Sequence, residues 1–84
     1  MDFEFTLTAQ KQYEYWIKND KKILKKINEL IKETQISPYE GKGKPEALKF
    51  NLGGCWSRRI NQEHRLVYIV EDNKIIILQC RYHY

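Results

Sequence analysis

Cysteine is scarce in this chain. Cys55 and Cys80 are the two present in 84 residues, too few for a disulfide framework, and neither has a second Cys or His at zinc-ligand spacing. Buried, inert thiols are the expectation. No apolar run approaches the roughly 20 residues that a bilayer span needs, and the opening MDFEFTLTAQ lacks the basic start and hydrophobic stretch of a secretory signal. A soluble, cytoplasmic protein without membrane contact is expected. Proline and glycine are few, and both prolines and two of the four glycines fall inside SPYEGKGKPE, which predicts one strong interruption of regular structure. A Gly-rich phosphate cradle at a helix start, a serine nucleophile elbow and a metal-ligand cluster are all missing, so neither a cofactor nor a metal is expected.

What is there suits one small globular domain over residues 1–84, with 42% hydrophobic and 13% aromatic residues. The net charge of +4 favours an anionic partner. Lysines dominate before residue 40, where they fit a solvated helix face. All four arginines, Arg58, Arg59, Arg65 and Arg81, lie in the C-terminal third, and arginine suits bidentate phosphate contacts better than lysine.

FEFTLT alternates Phe3, Phe5 and Leu7 with polar residues, the period of a half-buried strand, and Thr8 can then cap a helix. Ala9, Tyr13, Trp16 and Ile17 recur at helical spacing. Asp20 is a candidate N-cap for a second helix with one apolar stripe of Ile23, Leu24, Ile27, Leu30 and Ile31. After the loop carrying Lys42 and Lys44, Pro45 predicts a short helical turn that places Glu46 and Lys49 on one face. Three β-rich runs follow, residues 55–60, 64–70 and 74–84, separated by NQE and EDN. The expected fold class is α+β: an N-terminal strand, a two-helix hairpin, then a three-stranded antiparallel meander, with the helices on one sheet face.

Three-residue turns would set Arg59 opposite Arg65, and Arg65 opposite Gln79. One face then carries Trp56, Ile60, Leu66, Tyr68, Val70, Ile76, Leu78 and Cys80 toward the helices. The other gathers Arg59, Arg65, Gln79, Arg81 and His83 at one end. Cations crowded on half a sheet repel one another, and a bound anion is the simplest compensation. A solvated face with scattered charges is the blander reading. On this register Cys55 and Cys80 face opposite sides and cannot pair.

A polyanion that can be cut by its own 2′-hydroxyl is RNA, and cutting it takes a base, an acid and cations at the phosphate. Glu46 or Glu63 could be the base, His83 the acid, Arg65 with Arg59 and Arg81 the clamp, and Tyr84 a stacking ring or hydroxyl donor. Plainer roles exist for each. Glu46 could complement a helical turn, Glu63 sit in a hairpin turn, and His83 be a surface residue, while His64 and Tyr82 read as packed. By strict alternation Tyr84 faces away from His83, and terminal freedom alone would bring it to the site.

GKGKPEALK, WSRRINQEHRLVY and the terminal CRYHY, after DKKILKKINELIKET in the second helix, closely resemble the YoeB toxins of the RelE superfamily, from about residue 13 to the last. The resemblance implies a RelE-like fold and the toxin of a bacterial toxin–antitoxin pair, an endoribonuclease that cuts mRNA in the A site of the 70S ribosome and is inhibited by a YefM-like antitoxin. It also implies Glu46 as general base, Arg65 as the residue stabilising charge at the phosphate, His83 as general acid and Tyr84 as a positioning residue. Lys49, Arg59 and Glu63 take supporting places, and the family suggests a homodimer. The alternatives are a ParE-like protein that binds DNA gyrase on the same scaffold, and a non-catalytic RNA-binding domain.

Overall fold

The structure, a computed structural model, describes residues 1–83. Its elements are β1 (Asp2–Phe5), α1 (Leu7–Asn19), α2 (Lys21–Ile36), β2 (Glu46–Ala47), a 3-10 turn (Phe50–Leu52), β3 (Trp56–Arg59), β4 (Arg65–Glu71) and β5 (Lys74–Gln79). The strands form one mixed sheet in the order β1-β5-β4-β3-β2, parallel between β1 and β5 and antiparallel elsewhere. Two helices on one face of a sheet make the expected α+β fold, and β5 lies inside the sheet, between β1 and β4.

The helix hairpin turns on one residue. Asp20 donates its backbone N–H to the Trp16 carbonyl (3.0 Å), closing α1, while its carboxylate accepts from the N–H groups of Lys22 and Ile23 (both 3.1 Å), opening α2. Asp20→Ala is expected to lower stability by about 1 kcal/mol, read as a shifted urea midpoint at unchanged slope. At the start of α1 the cap is Thr6 and not Thr8: its hydroxyl accepts from Ala9 N–H (3.2 Å) while its own N–H still bonds the Ile77 carbonyl (3.0 Å). The ladder and the cap meet on Thr6, so the helix begins two residues sooner than expected.

Ile27, Leu30, Trp16 and Ala9 from the helices bury Leu66, Tyr68, Ile75, Ile77 and Cys80 of the sheet. A smaller cluster of Leu48, Cys55 and Val67, flanked by Leu52, Ile69 and Leu78, packs together apart from the helices. Cys80 and Cys55 belong to different clusters, and both are free and buried, as expected. Burial pushes the Cys80 thiol up from an ordinary 9.0 to about 12, and it donates to the Ala9 carbonyl at 3.5 Å. A folded-state pKa above the unfolded one contributes stability that is complete below pH 9 and is lost as pH rises toward 12. Each pH unit in that window should cost about 1.4 kcal/mol, and Cys80→Ala should flatten the decline in urea midpoint.

Further expectations need correction. The helical turn at Pro45 is instead strand β2, which pairs Glu46 with Ser57 and Ala47 with Trp56; the proline's fixed φ suits an extended edge, where its missing N–H costs no ladder bond. The β4–β5 hairpin closes on two residues, Asp72 and Asn73, both left-handed with φ of 49° and 59°, so Glu71 pairs with Lys74. This moves the register by one: Ile75 and Ile77 take the helix face in place of Ile76 and Leu78, and Gln79 faces Val67, not Arg65. An irregularity then leaves Leu78 without a partner between the Tyr68–Ile77 and Val67–Gln79 pairs. The extra residue restores the phase and returns Cys80 to the helix side.

The strand ends at Gln79 rather than continuing to the terminus. Tyr82, expected in the core, is exposed with a φ of 69°. Its carbonyl accepts from Arg65 N–H (3.0 Å) and its N–H donates to His64 Nδ1 (2.7 Å). His64 is packed as expected, edge-on to Trp16 with ring centroids 4.8 Å apart.

Candidate functional site

Pairing places Glu46, Ser57, Val67 and Gln79 in one row across β2, β3, β4 and β5, on the face turned away from the helices. The next row toward the β3–β4 turn is Arg59 opposite Arg65. Same-face rows lie about 7 Å apart and neighbouring strands about 4.8 Å, so a carboxylate on β2 and two guanidinium groups on β3 and β4 can reach one phosphate-sized ligand. Glu46 and Arg59 are exposed and Arg65 is half-buried. The clefts along the helices are lined by other residues.

Arg65 is held by one edge of its guanidinium. Its Nη1 donates to the carbonyls of Asn61 (2.6 Å), His64 (3.1 Å) and Gln62 (3.4 Å). That turn is in turn fixed by Asn61 Oδ1, which accepts from the N–H groups of Glu63 and His64, both at 2.8 Å. Glu63 is therefore a turn residue with an exposed side chain, placed beside the arginine it was expected to support. The hydrogen bond that Arg65 N–H donates to the Tyr82 carbonyl, and the one that Tyr82 N–H donates to His64 Nδ1, bring the chain that leads into His83 against the head of β4, and His83 is exposed there. Tyr84 lies outside the described residues.

The loop that delivers Glu46 is fastened by a residue whose role the sequence reading misplaced. Arg58, counted there among the phosphate-seeking arginines, is fully buried on the helix face. Its guanidinium donates to Tyr68 Oη (3.2 Å) and to the carbonyls of Lys42 (2.7 Å), Glu40 (2.8 Å) and Ser37. Tyr68 Oη donates onward to the Pro38 carbonyl (2.6 Å). Burial pushes the Tyr68 phenol pKa up, against the lowering pull of Arg58, so the hydroxyl keeps its proton and serves as donor and acceptor together. Gly43 completes the clamp: its carbonyl accepts from Arg59 N–H (2.6 Å), and at φ 84° a Cβ there would meet Leu30 Cδ2 at 2.9 Å and Arg58 Cβ at 3.0 Å. Alternation with Trp56 and Ile60 was the signal that could have placed Arg58 inside.

Arg81 also departs from expectation. In place of joining Arg59 and Arg65, its guanidinium lies over the Tyr15 ring at 3.5 Å from the centroid, with Tyr82 at 4.6 Å and Trp16 at 5.7 Å. Aromatic faces take the cation that the expected register gave to the anion site. Lys49 is exposed and precedes the 3-10 turn. Among the described residues no group of His, Cys, Asp and Glu is placed to hold a metal ion, and no helix is long and apolar enough to cross a membrane. The face thus combines a carboxylate able to accept a proton, guanidinium groups able to stabilise anionic oxygen, and an imidazole at its margin.

Residues 5–84 match the family described as YoeB-like toxin of bacterial type II toxin-antitoxin system. Toxin YoeB of Escherichia coli K12 is 65% identical over 72 residues, which cover 86% of each chain. Among solved structures, a YoeB/ParE toxin from Agrobacterium tumefaciens superposes with a TM-score of 0.97 at 43% identity over the whole of both chains. YoeB of Staphylococcus aureus, solved both as a heterotetrameric complex with YefM and as a dimer, superposes with a TM-score of 0.92 at 54% identity, covering 100% of this chain and 98% of that one.

Proposed function

The chain belongs to the YoeB-like toxins of bacterial type II toxin–antitoxin systems, and on that premise we propose that it is a ribosome-dependent endoribonuclease that cuts mRNA in the A site. The observation that carries the proposal is the shared face of Glu46, Arg59 and Arg65, with the His83 segment tied to the head of β4. Glu46 takes the proton from a ribose 2′-hydroxyl, and O2′ attacks the adjacent phosphorus. As the P–O5′ bond breaks, His83 gives its proton to the departing 5′-oxygen. The products are a 2′,3′-cyclic phosphate and a 5′-hydroxyl. Arg65, with Arg59 and Lys49 in support, stabilises the charge that gathers on the non-bridging oxygens. Glu63 holds the turn that anchors Arg65, Arg81 holds the terminal segment, and Tyr84 positions the substrate beside His83.

The ribosome supplies the alignment of mRNA, since an open sheet face offers few walls of its own. A YefM-like antitoxin segment, acidic and extended, neutralises the toxin by covering the arginine face. The toxin itself forms a homodimer, as its S. aureus relative does.

Purified protein added to ribosomes translating a defined mRNA should produce breaks within the A-site codon, mapped by primer extension. Intact mRNA together with blocked gyrase supercoiling would instead make it a gyrase-binding toxin. Salt-sensitive RNA binding without product would make it a non-catalytic binder.

A further inference from the structure

Phe50 is the most exposed large hydrophobic residue among those described, at 95% of its possible surface, and it holds a left-handed φ of 60°. Both features run against its chemistry. A bulky side chain rarely adopts positive φ, and such strain persists where the surroundings impose it. Here they do: Gly53 N–H donates to the Phe50 carbonyl (3.0 Å), Leu52 N–H to the Lys49 carbonyl (3.2 Å) and Cys55 N–H to the Leu52 carbonyl (3.0 Å). An apolar cluster of Leu48, Cys55, Val67 and Leu52 lies within the same turn and on the neighbouring strand, yet the ring stays in water.

Its position ties it to the site. Phe50 follows Glu46 by four residues, so their Cα atoms are at most about 14 Å apart. Lys49 precedes it, a cation beside a ring, the pairing that grips a phosphate and stacks its base. A protein interface would be expected to show a contiguous apolar patch, but the exposed neighbours are Lys49, Gly53 and Gly54.

We propose that Phe50 is a base-stacking residue of this face, receiving a nucleobase next to the cleaved bond, a role that rests on the ribonuclease reading above. Every base has a π-face, so the ring would favour strongly stacking bases without reading their edges.

Phe50→Ala, Phe50→Gly and Phe50→Tyr are to be compared with the wild type in cleavage on translating ribosomes, over mRNAs that differ in the bases flanking the cut, with Tm and oligomeric mass measured alongside. Alanine and glycine should lower kcat/KM roughly 5- to 150-fold and alter the preference among flanking bases, whereas tyrosine should stay within a few-fold. Glycine, at ease at positive φ, should leave Tm equal or higher, which a merely structural residue would not do. Wild-type cleavage that alanine leaves unchanged overturns the stacking role alone. A changed mass or antitoxin affinity with unchanged cleavage makes Phe50 a protein contact and overturns it too. No cleavage by the wild type overturns the ribonuclease reading and the stacking role with it.

Discussion

Replacing Glu46 by alanine is expected to slow single-turnover cleavage on programmed ribosomes by about 10²–10⁴-fold, and His83→Ala by a similar factor, because a positioned base and a positioned acid each contribute that much. The double variant should fall well short of the product of the two, since residues that act as a unit are not additive. Neither change should cost much stability: both side chains are exposed, and both sit at a margin, one on the two-residue edge strand and the other beyond β5. Equal thermal midpoints with a lost reaction therefore separate chemistry from folding. Full activity in the double variant would remove both residues from the mechanism.

Arg58→Met is expected to be the most destabilising single change on the sheet. The side chain is fully buried, and its hydrogen-bond partners are a phenol and three backbone carbonyls, none of them charged. Removing the donor leaves those acceptors buried beside an apolar group, and the loss should reach about 3–5 kcal/mol. For a domain of this size that is a large share of the total margin. Lysine should not rescue it, because one ammonium cannot match a planar fork that reaches four oxygens. Denaturant titration of Arg58→Met and Arg58→Lys checks this, and a loss below about 1 kcal/mol in both would show the loop to be held by other means. The clamp also links stability to function. It fixes the loop from Ser37 to Gly43, and Glu46 follows three residues later, so folded Arg58 variants at low temperature should still cleave more slowly than the wild type.

Much of the architecture was legible because long, periodic segments leave little choice. The stripe on α2 and its Asp20 cap mark a helix from chemistry alone, and the β-rich runs mark β3, β4 and β5. What escaped was decided by single residues. Asp72 and Asn73 both tolerate left-handed φ, so the hairpin could close on two residues, and alternation converts that one-residue change into a reversed face for most of β5. The unpaired Leu78 then reverses it again, which is why Cys80 was placed correctly and Ile75 and Ile77 were not. β2 is two residues long, and its identity depends on the open edge of β3 rather than on any local preference. For the site, spacing alone proposed the Arg59–Arg65 pair, and the structure keeps it. Arg58 and Arg81 were misread because charge was taken as a sign of exposure. One is satisfied by carbonyls and the other by aromatic faces, and neither kind of partner leaves a mark in composition.

The most direct measurement concerns the new ends of the cut mRNA. With wild-type protein and translating ribosomes, the upstream fragment should end in a 2′,3′-cyclic phosphate and the downstream fragment begin with a 5′-hydroxyl, and Glu46→Gln should slow their formation at least about 100-fold. An upstream 3′-hydroxyl with a downstream 5′-phosphate, or an undiminished rate in Glu46→Gln, would contradict attack by the 2′-oxygen with Glu46 as its base.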